Sequence, residues 1–126
     1  MYDPPDPAEL ITAVRAFLEE RAIPELAGHT EFHARVAANA LGIVARQLEL
    51  GPAAEAAAHE RLQALLGRDG ELDALQRDLA RRIRSGELGI DTPGLVEHLR
   101  AAALDKLAVD QPRYSGATRA REKRGR

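Results

Sequence analysis

The apolar residues of this chain recur every three or four positions, which is the spacing of one face of an α-helix. The pattern is clearest between residues 71 and 85, where Leu72, Leu75, Leu79 and Ile83 fall on one side of a helix. Aromatic residues make up only 3% of the 126 residues, whereas strands favour aromatic and β-branched side chains. The sequence therefore predicts an all-α fold.

Prolines and glycines divide the chain into about five predicted helices with short connections. We expect them near residues 7–23, 31–50, 52–66, 71–85 and 93–110, after an extended Pro-rich arm over residues 1–6. Asp6 and Thr30 are predicted N-caps, and Gly51 with Pro52 is predicted to end the second helix and open the third. This order indicates an antiparallel helical bundle. We expect a single domain over residues 1–116 and a disordered basic tail over residues 117–126.

The apolar positions also predict which face of each helix is buried. In the second helix the inward residues are expected to be Phe32, Val36, Ala40, Ile43, Val44 and Leu48. The corresponding stripe of the first helix is Leu10, Val14, Phe17 and Leu18. The third helix is expected to bury Ala58, Leu62, Leu65 and Leu66, and the fifth Leu95, Val96, Leu99, Ala103 and Leu107.

Cysteine usage and charge exclude several classes of protein. The chain has no cysteine, which excludes disulfides and thiolate metal sites. No apolar run is long enough to span a membrane, and the acidic, Pro-rich start lacks the chemistry of a signal peptide, so we expect a cytoplasmic protein. Residues 113–126 carry six Lys or Arg and one Glu, whereas residues 1–112 carry 12 Lys or Arg and 19 Asp or Glu. An acidic body argues against nucleic-acid binding.

One row of polar residues on the second helix is a candidate binding face. Arg35, Asn39, Gly42 and Arg46 follow one another at helical spacing. Two guanidiniums beside an amide suit a carboxylate, a phosphate or an acidic protein surface, and the glycine permits close approach. The alternative is a solvated face in which Arg35 pairs with Glu31 and Arg46 with Glu49.

A second candidate site is a cleft formed by His33, Gln47, Lys106, Arg113 and Tyr114. His33 and Gln47 fall in the predicted apolar face, so the alternative for His33 is a hydrogen-bonded core histidine. His29 and His33 have a spacing seen in metal sites, but no third ligand is indicated, and we expect no metal or cofactor. His59 and His98 are assigned ordinary edge positions. No arrangement of residues indicates a catalytic site.

Three segments resemble a known family. They are MYDPP (residues 1–5) followed by Glu9 and Leu10, FHARVAANAL (residues 32–41) and KLAVDQPRYSG (residues 106–116). Together they resemble a bacterial family of small helical proteins classed as a domain of unknown function. The resemblance implies genes encoded beside kinases similar to aminoglycoside phosphotransferases and beside acyl-CoA dehydrogenases. It implies no catalytic residues.

Two functions are compatible with these observations. The first is a non-catalytic accessory or interaction protein that binds a phosphotransferase-like kinase or a dehydrogenase, or forms a homodimer, through the Arg35 face. Its context would be acyl-CoA or hydroxyacyl-CoA metabolism. The alternative is a small-ligand binder for an anionic acyl-CoA or phosphate compound, held in the cleft around His33 and Lys106.

Overall fold

The structure is a computed structural model that describes residues 5–124. Within that range the chain forms no strand and five α-helices, which are α1 (Pro7–Phe17), α2 (Gly28–Leu66), α3 (Leu72–Arg84), α4 (Leu95–Asp110) and α5 (Ser115–Arg124). A π-helical turn (Leu18–Ala22) and a 3₁₀ turn (Ile23–Glu25) follow α1. The all-α prediction is confirmed.

The start of α1 follows the predicted capping chemistry. The backbone N–H of Glu9 donates to Asp6 Oδ1 at 2.8 Å, and Pro7 occupies the first turn, where no intrahelical N–H bond is required. The Pro-rich arm was expected over residues 1–6, and its first four residues lie outside the described part of the chain.

The predicted boundaries of the second and third helices are wrong, because one helix covers both. α2 begins at Gly28, so Thr30 lies inside it and is not its N-cap. It then continues through Pro52 to Leu66. A proline normally disfavours helix in the residue before it by clashing with that residue's Cβ. Gly51 has no Cβ, which removes this part of the clash, and the alanines after Pro52 favour helix.

The chain forms two compact units, Met1–Leu50 and Gly51–Arg126, which we call unit 1 and unit 2. The core of unit 2 is a cluster of buried leucines: Leu62, Leu66, Leu75, Leu79 and Leu95. The inward faces predicted for the C-terminal part of α2 and for most of α3 are therefore confirmed. That residues 1–116 act as a single domain remains a prediction.

A buried carboxylate on α3 connects this core to a group of arginines. Asp78 accepts hydrogen bonds from Arg68 Nη1 at 3.1 Å and from Arg81 Nη2 at 2.5 Å, and Arg82 Nη2 lies 3.0 Å from its Oδ2. The hydrogen bonds from Arg81 and Arg82 hold the pKa of Asp78 below its ordinary value. Arg82 Nη1 also donates to the Leu66 carbonyl at 3.4 Å, which links α3 to the end of α2.

The buried face of α4 differs from the prediction. Leu95 is buried as expected, but Val96, Leu99 and Ala103 are exposed, and the helix packs through residues that include Ala101, Leu104 and Val109. α4 carries apolar residues on nearly all sides, so its periodicity does not select one face. The helix also begins at Leu95, after Gly94 at φ +87°, instead of at Pro93.

The tail also differs from the prediction of disorder. The backbone of Ser115–Arg124 is helical, while residues 125 and 126 lie outside the described part. Alanine, arginine, glutamate and lysine have high intrinsic helix propensity, which does not require an apolar stripe.

Replacing Leu75 with alanine tests the core of unit 2. Leu75 is fully buried, so we expect Leu75→Ala to lower the free energy of unfolding by about 2–5 kcal/mol. Ile90→Ala is the matched control, since Ile90 is 83% exposed, and its effect should stay within about 0.5 kcal/mol. Urea unfolding followed by circular dichroism measures both, and equal losses would contradict this core.

Candidate functional site

The part of α2 that lies in unit 1 has two chemically different faces. At 100° per residue, five large apolar side chains share one face. We call them the apolar stripe: Phe32, Val36, Ile43, Val44 and Leu48. The charged residues of this segment lie together on the opposite side of the helix: Glu31, Arg35, Arg46 and Glu49. The half of the helix that carries the stripe therefore has no formal charge between residues 29 and 50, apart from His29 and His33 if protonated.

The small residues of α2, not the apolar stripe, form its packed side. Ala38 is 2% exposed and Gly42 is buried. A Cβ added at Gly42 would lie 3.2 Å from the guanidinium carbon of Arg15 on α1. Arg15 is in turn held by Glu19, whose Oε1 accepts from Arg15 Nε at 3.1 Å. The missing side chain at Gly42 thus leaves room for the Arg15 side chain of α1 against the α2 backbone.

As a result the apolar stripe is exposed, and the prediction that it faces inward is wrong. Its five side chains are between 37% and 61% exposed, and Ala40 on the same face is exposed as well. The periodicity correctly indicates an amphipathic helix, but it does not say whether the apolar face is covered by the same chain. On α1, Leu10, Val14 and Phe17 were also expected inside and are 50% to 58% exposed.

The predicted Arg35 face is occupied in part by unit 1 itself. Gly42 contacts Arg15, as described above. Arg35 is exposed, and its Nη2 donates to Glu31 Oε1 at 2.9 Å, which is the pairing expected of a solvated face. Asn39 is exposed, whereas Arg46 is partly buried and has an interaction partner.

The residues of the predicted cleft belong to different units. In unit 1, His33 and Gln47 are exposed on the same side of α2 as the apolar stripe, so His33 is not a core histidine. Its ring meets Phe32 edge-on, with ring centroids 5.5 Å apart. In unit 2, Lys106, Arg113 and Tyr114 are exposed. A shared cleft remains a prediction.

A cavity that the sequence does not reveal lies within unit 2. Its volume is about 290 Å³, and its lining is mainly apolar. The lining residues are Arg61, Ala64, Leu65, Pro93, Gly94, Glu97 and His98. It lies beside the N-terminus of α4, whose first turn has no side-chain cap. Arg61 and His98 are 37 positions apart in the chain, and no local spacing relates them.

The polar lining of this cavity comes from Arg61, His98 and Glu97. Arg61 Nε donates to His98 Nδ1 at 3.0 Å. Arg61 Nη2 is buried, has no hydrogen-bond partner among residues 5–124, and lies 3.9 Å from Asp105 Oδ2. Burial, and secondarily the charge of Arg61, lowers the pKa of His98. His98 is only 5% exposed, so its assignment to an ordinary edge position is wrong.

Two further properties concern metals and membranes. In the part of the chain that the structure describes, no group of three His, Cys, Asp or Glu residues is placed to hold a metal ion. None of the described helices is both long enough and apolar enough to cross a membrane.

Comparison with known proteins identifies a family for most of the chain. Residues 24–114 match the model of a domain of unknown function, DUF6285. This range includes FHARVAANAL and most of KLAVDQPRYSG, but not residues 1–5. No curated protein and no solved structure matches the chain. Because the family model covers more than half of the 126 residues, the protein belongs to the DUF6285 family.

Proposed function

We propose that this protein is a non-catalytic interaction protein whose binding surface is the apolar stripe of α2. The observation that carries the proposal is the exposure of five large apolar side chains on one uncharged helix face. Single exposed apolar residues are normal, but a continuous row of them marks a surface that associates with another molecule. Helices commonly bind partners through such a face, with anchors at helical spacing.

Packing within unit 1 supports the same conclusion. α1 approaches the small-residue side of α2 at Gly42, so an association through the stripe would not need to displace it. Aromatic and branched anchors such as Phe32 and Ile43 lose contact with water only when a second surface covers them. Covering these side chains with a second surface would remove apolar area from water, and this favours association.

The class of partner comes from the family resemblance. It implies a phosphotransferase-like kinase or an acyl-CoA dehydrogenase, and hence a role in acyl-CoA or hydroxyacyl-CoA metabolism. A second copy of this chain is the other partner that we consider. The stripe replaces the Arg35 face as the proposed contact, because Arg35 already pairs with Glu31 and Gly42 already contacts Arg15.

Charge introduced into the stripe should abolish binding. We expect the double variant Val36→Glu/Ile43→Glu to recover at least about tenfold less partner, since burying unpaired carboxylates costs several kcal/mol. The measurement is a pull-down of tagged protein from native lysate. Mass spectrometry quantifies kinase-like and dehydrogenase proteins, and a differently tagged second copy is quantified beside them.

Arg35→Glu/Arg46→Glu is the matched control, because it changes charge on the other side of the same helix. It should keep the partner, and circular dichroism should show both variants to be as helical as the unchanged protein. Loss of binding in the control with retention in the stripe variant would contradict the proposal and return the contact to the Arg35 face.

The cavity of unit 2 favours a second candidate function, the binding of a small carboxylate. Arg61 Nη2 is a buried cationic donor without a hydrogen-bond partner in the described chain, and Ala64, Leu65 and Pro93 supply apolar lining. A volume of about 290 Å³ is at the small end of ligand pockets, which suits a short acyl group with one anionic end.

Thermal shift measurements test this second candidate. We expect butyrate to raise the melting temperature by several degrees at about 100 times its dissociation constant, since binding to the native state alone stabilises it. Inorganic phosphate and free CoA are the comparison ligands. Arg61→Gln should remove the shift, whereas Arg84→Gln, on the exposed end of α3, should keep it. An unchanged shift in Arg61→Gln would rule out this cavity as the site.

A further inference from the structure

We infer that the occupant of the apolar stripe is a second copy of this chain, packed antiparallel with its two-fold axis beside Ala40. This inference rests on the proposed function, because it names the partner of the same surface. It follows from how the residues on either side of Ala40 match one another, from the size of the exposed surface and from the absence of charge on it.

The residues of the uncharged face are arranged symmetrically around Ala40. In an antiparallel pair centred on Ala40, residues equally far before and after it lie at the same level across the interface. Val36 then lies level with Val44 of the second copy, and Phe32 with Leu48. Ile43 lies level with Ala37, so each level that carries a stripe residue pairs one apolar residue with another.

The two polar residues of this face match in the same arrangement. His33 and Gln47 are both seven positions from Ala40. At 100° per residue both lie close to the middle of the face, so His33 of one copy meets Gln47 of the other. An imidazole and a carboxamide can exchange a hydrogen bond in either tautomer of the histidine. In a parallel pair, His33 would instead lie opposite His33 of the second copy. Two protonated imidazoles would then repel each other.

Small residues at the centre of the stripe permit close helix packing. Ala37 and Ala40 are exposed alanines between the larger residues at the two ends. Interaxial distance depends on the side chains at the point of contact and falls to about 8 Å where they are small.

The exposed apolar area of the stripe is about half of what a standard interface buries on each partner, which fits a weak dimer that dissociates on dilution. Taking roughly 150–200 Å² for a large apolar residue, the exposed fractions of the five stripe residues leave on the order of 400 Å² uncovered. A standard interface buries about 800 Å² on each partner.

Engineered cysteines test the register directly, because the chain has no cysteine of its own. The probe is disulfide formation in full-length protein under mild oxidation, read on a non-reducing gel. A disulfide requires two Cα atoms about 4.4–6.8 Å apart. We expect His33→Cys mixed with Gln47→Cys to cross-link several-fold more than either variant alone. Ala40→Cys should cross-link with itself.

Glu49→Cys is the control, since Glu49 lies on the charged side of α2 and should give no cross-link. Strong self-cross-linking of His33→Cys would overturn the antiparallel register. Failure of all pairs, with circular dichroism showing folded protein, would overturn the second copy as occupant. The pull-down is independent of this result, because a kinase-like or dehydrogenase partner lost in Val36→Glu/Ile43→Glu would still support the stripe as an interaction surface.

Discussion

The small side chains on one face of α2 determine the character of unit 1. Ala38 is buried, and at Gly42 the guanidinium of Arg15 on α1 takes the space that a side chain would need. The face that packs within the unit is therefore not the face with the most apolar area. The larger residues, including Phe32 and Ile43, remain in contact with water. The proposed function depends on this division between the two faces.

Unit 2, unlike unit 1, buries a cluster of large apolar residues in its own core. Leu62 and Leu75 are fully buried in a leucine cluster, and the carboxylate beside it on α3 is paired with three arginines. Removing one of these arginines would leave the buried Asp78 carboxylate with fewer donors. An incompletely paired buried charge lowers the free energy of unfolding. The buried cation Arg61 is less completely satisfied, because its Nη2 has no hydrogen-bond partner within residues 5–124. This contrast distinguishes the structural arginine cluster at Asp78 from the candidate ligand cavity at Arg61.

Local chemistry predicted much of the fold, and long-range packing explains the errors. The cap formed by Asp6 and the leucine face of α3 both follow from residues close together in the chain. The helix break at Pro52 was wrong because a glycine precedes the proline and lacks the Cβ that would clash. The inward orientation of Phe32 was wrong because periodicity locates an apolar face but does not identify what covers it. Arg61 and His98 were missed because their contact joins α2 and α4 across 37 positions.

The molar mass in solution, measured by light scattering across a range of concentrations, tests the central claim most directly. We expect a mass of about twice 13.7 kDa that falls to 13.7 kDa on dilution. Val36→Glu/Ile43→Glu should stay at 13.7 kDa throughout, while Arg35→Glu/Arg46→Glu should behave as the unchanged protein does. A mass of 13.7 kDa for the unchanged protein at every concentration would contradict self-association through the apolar stripe.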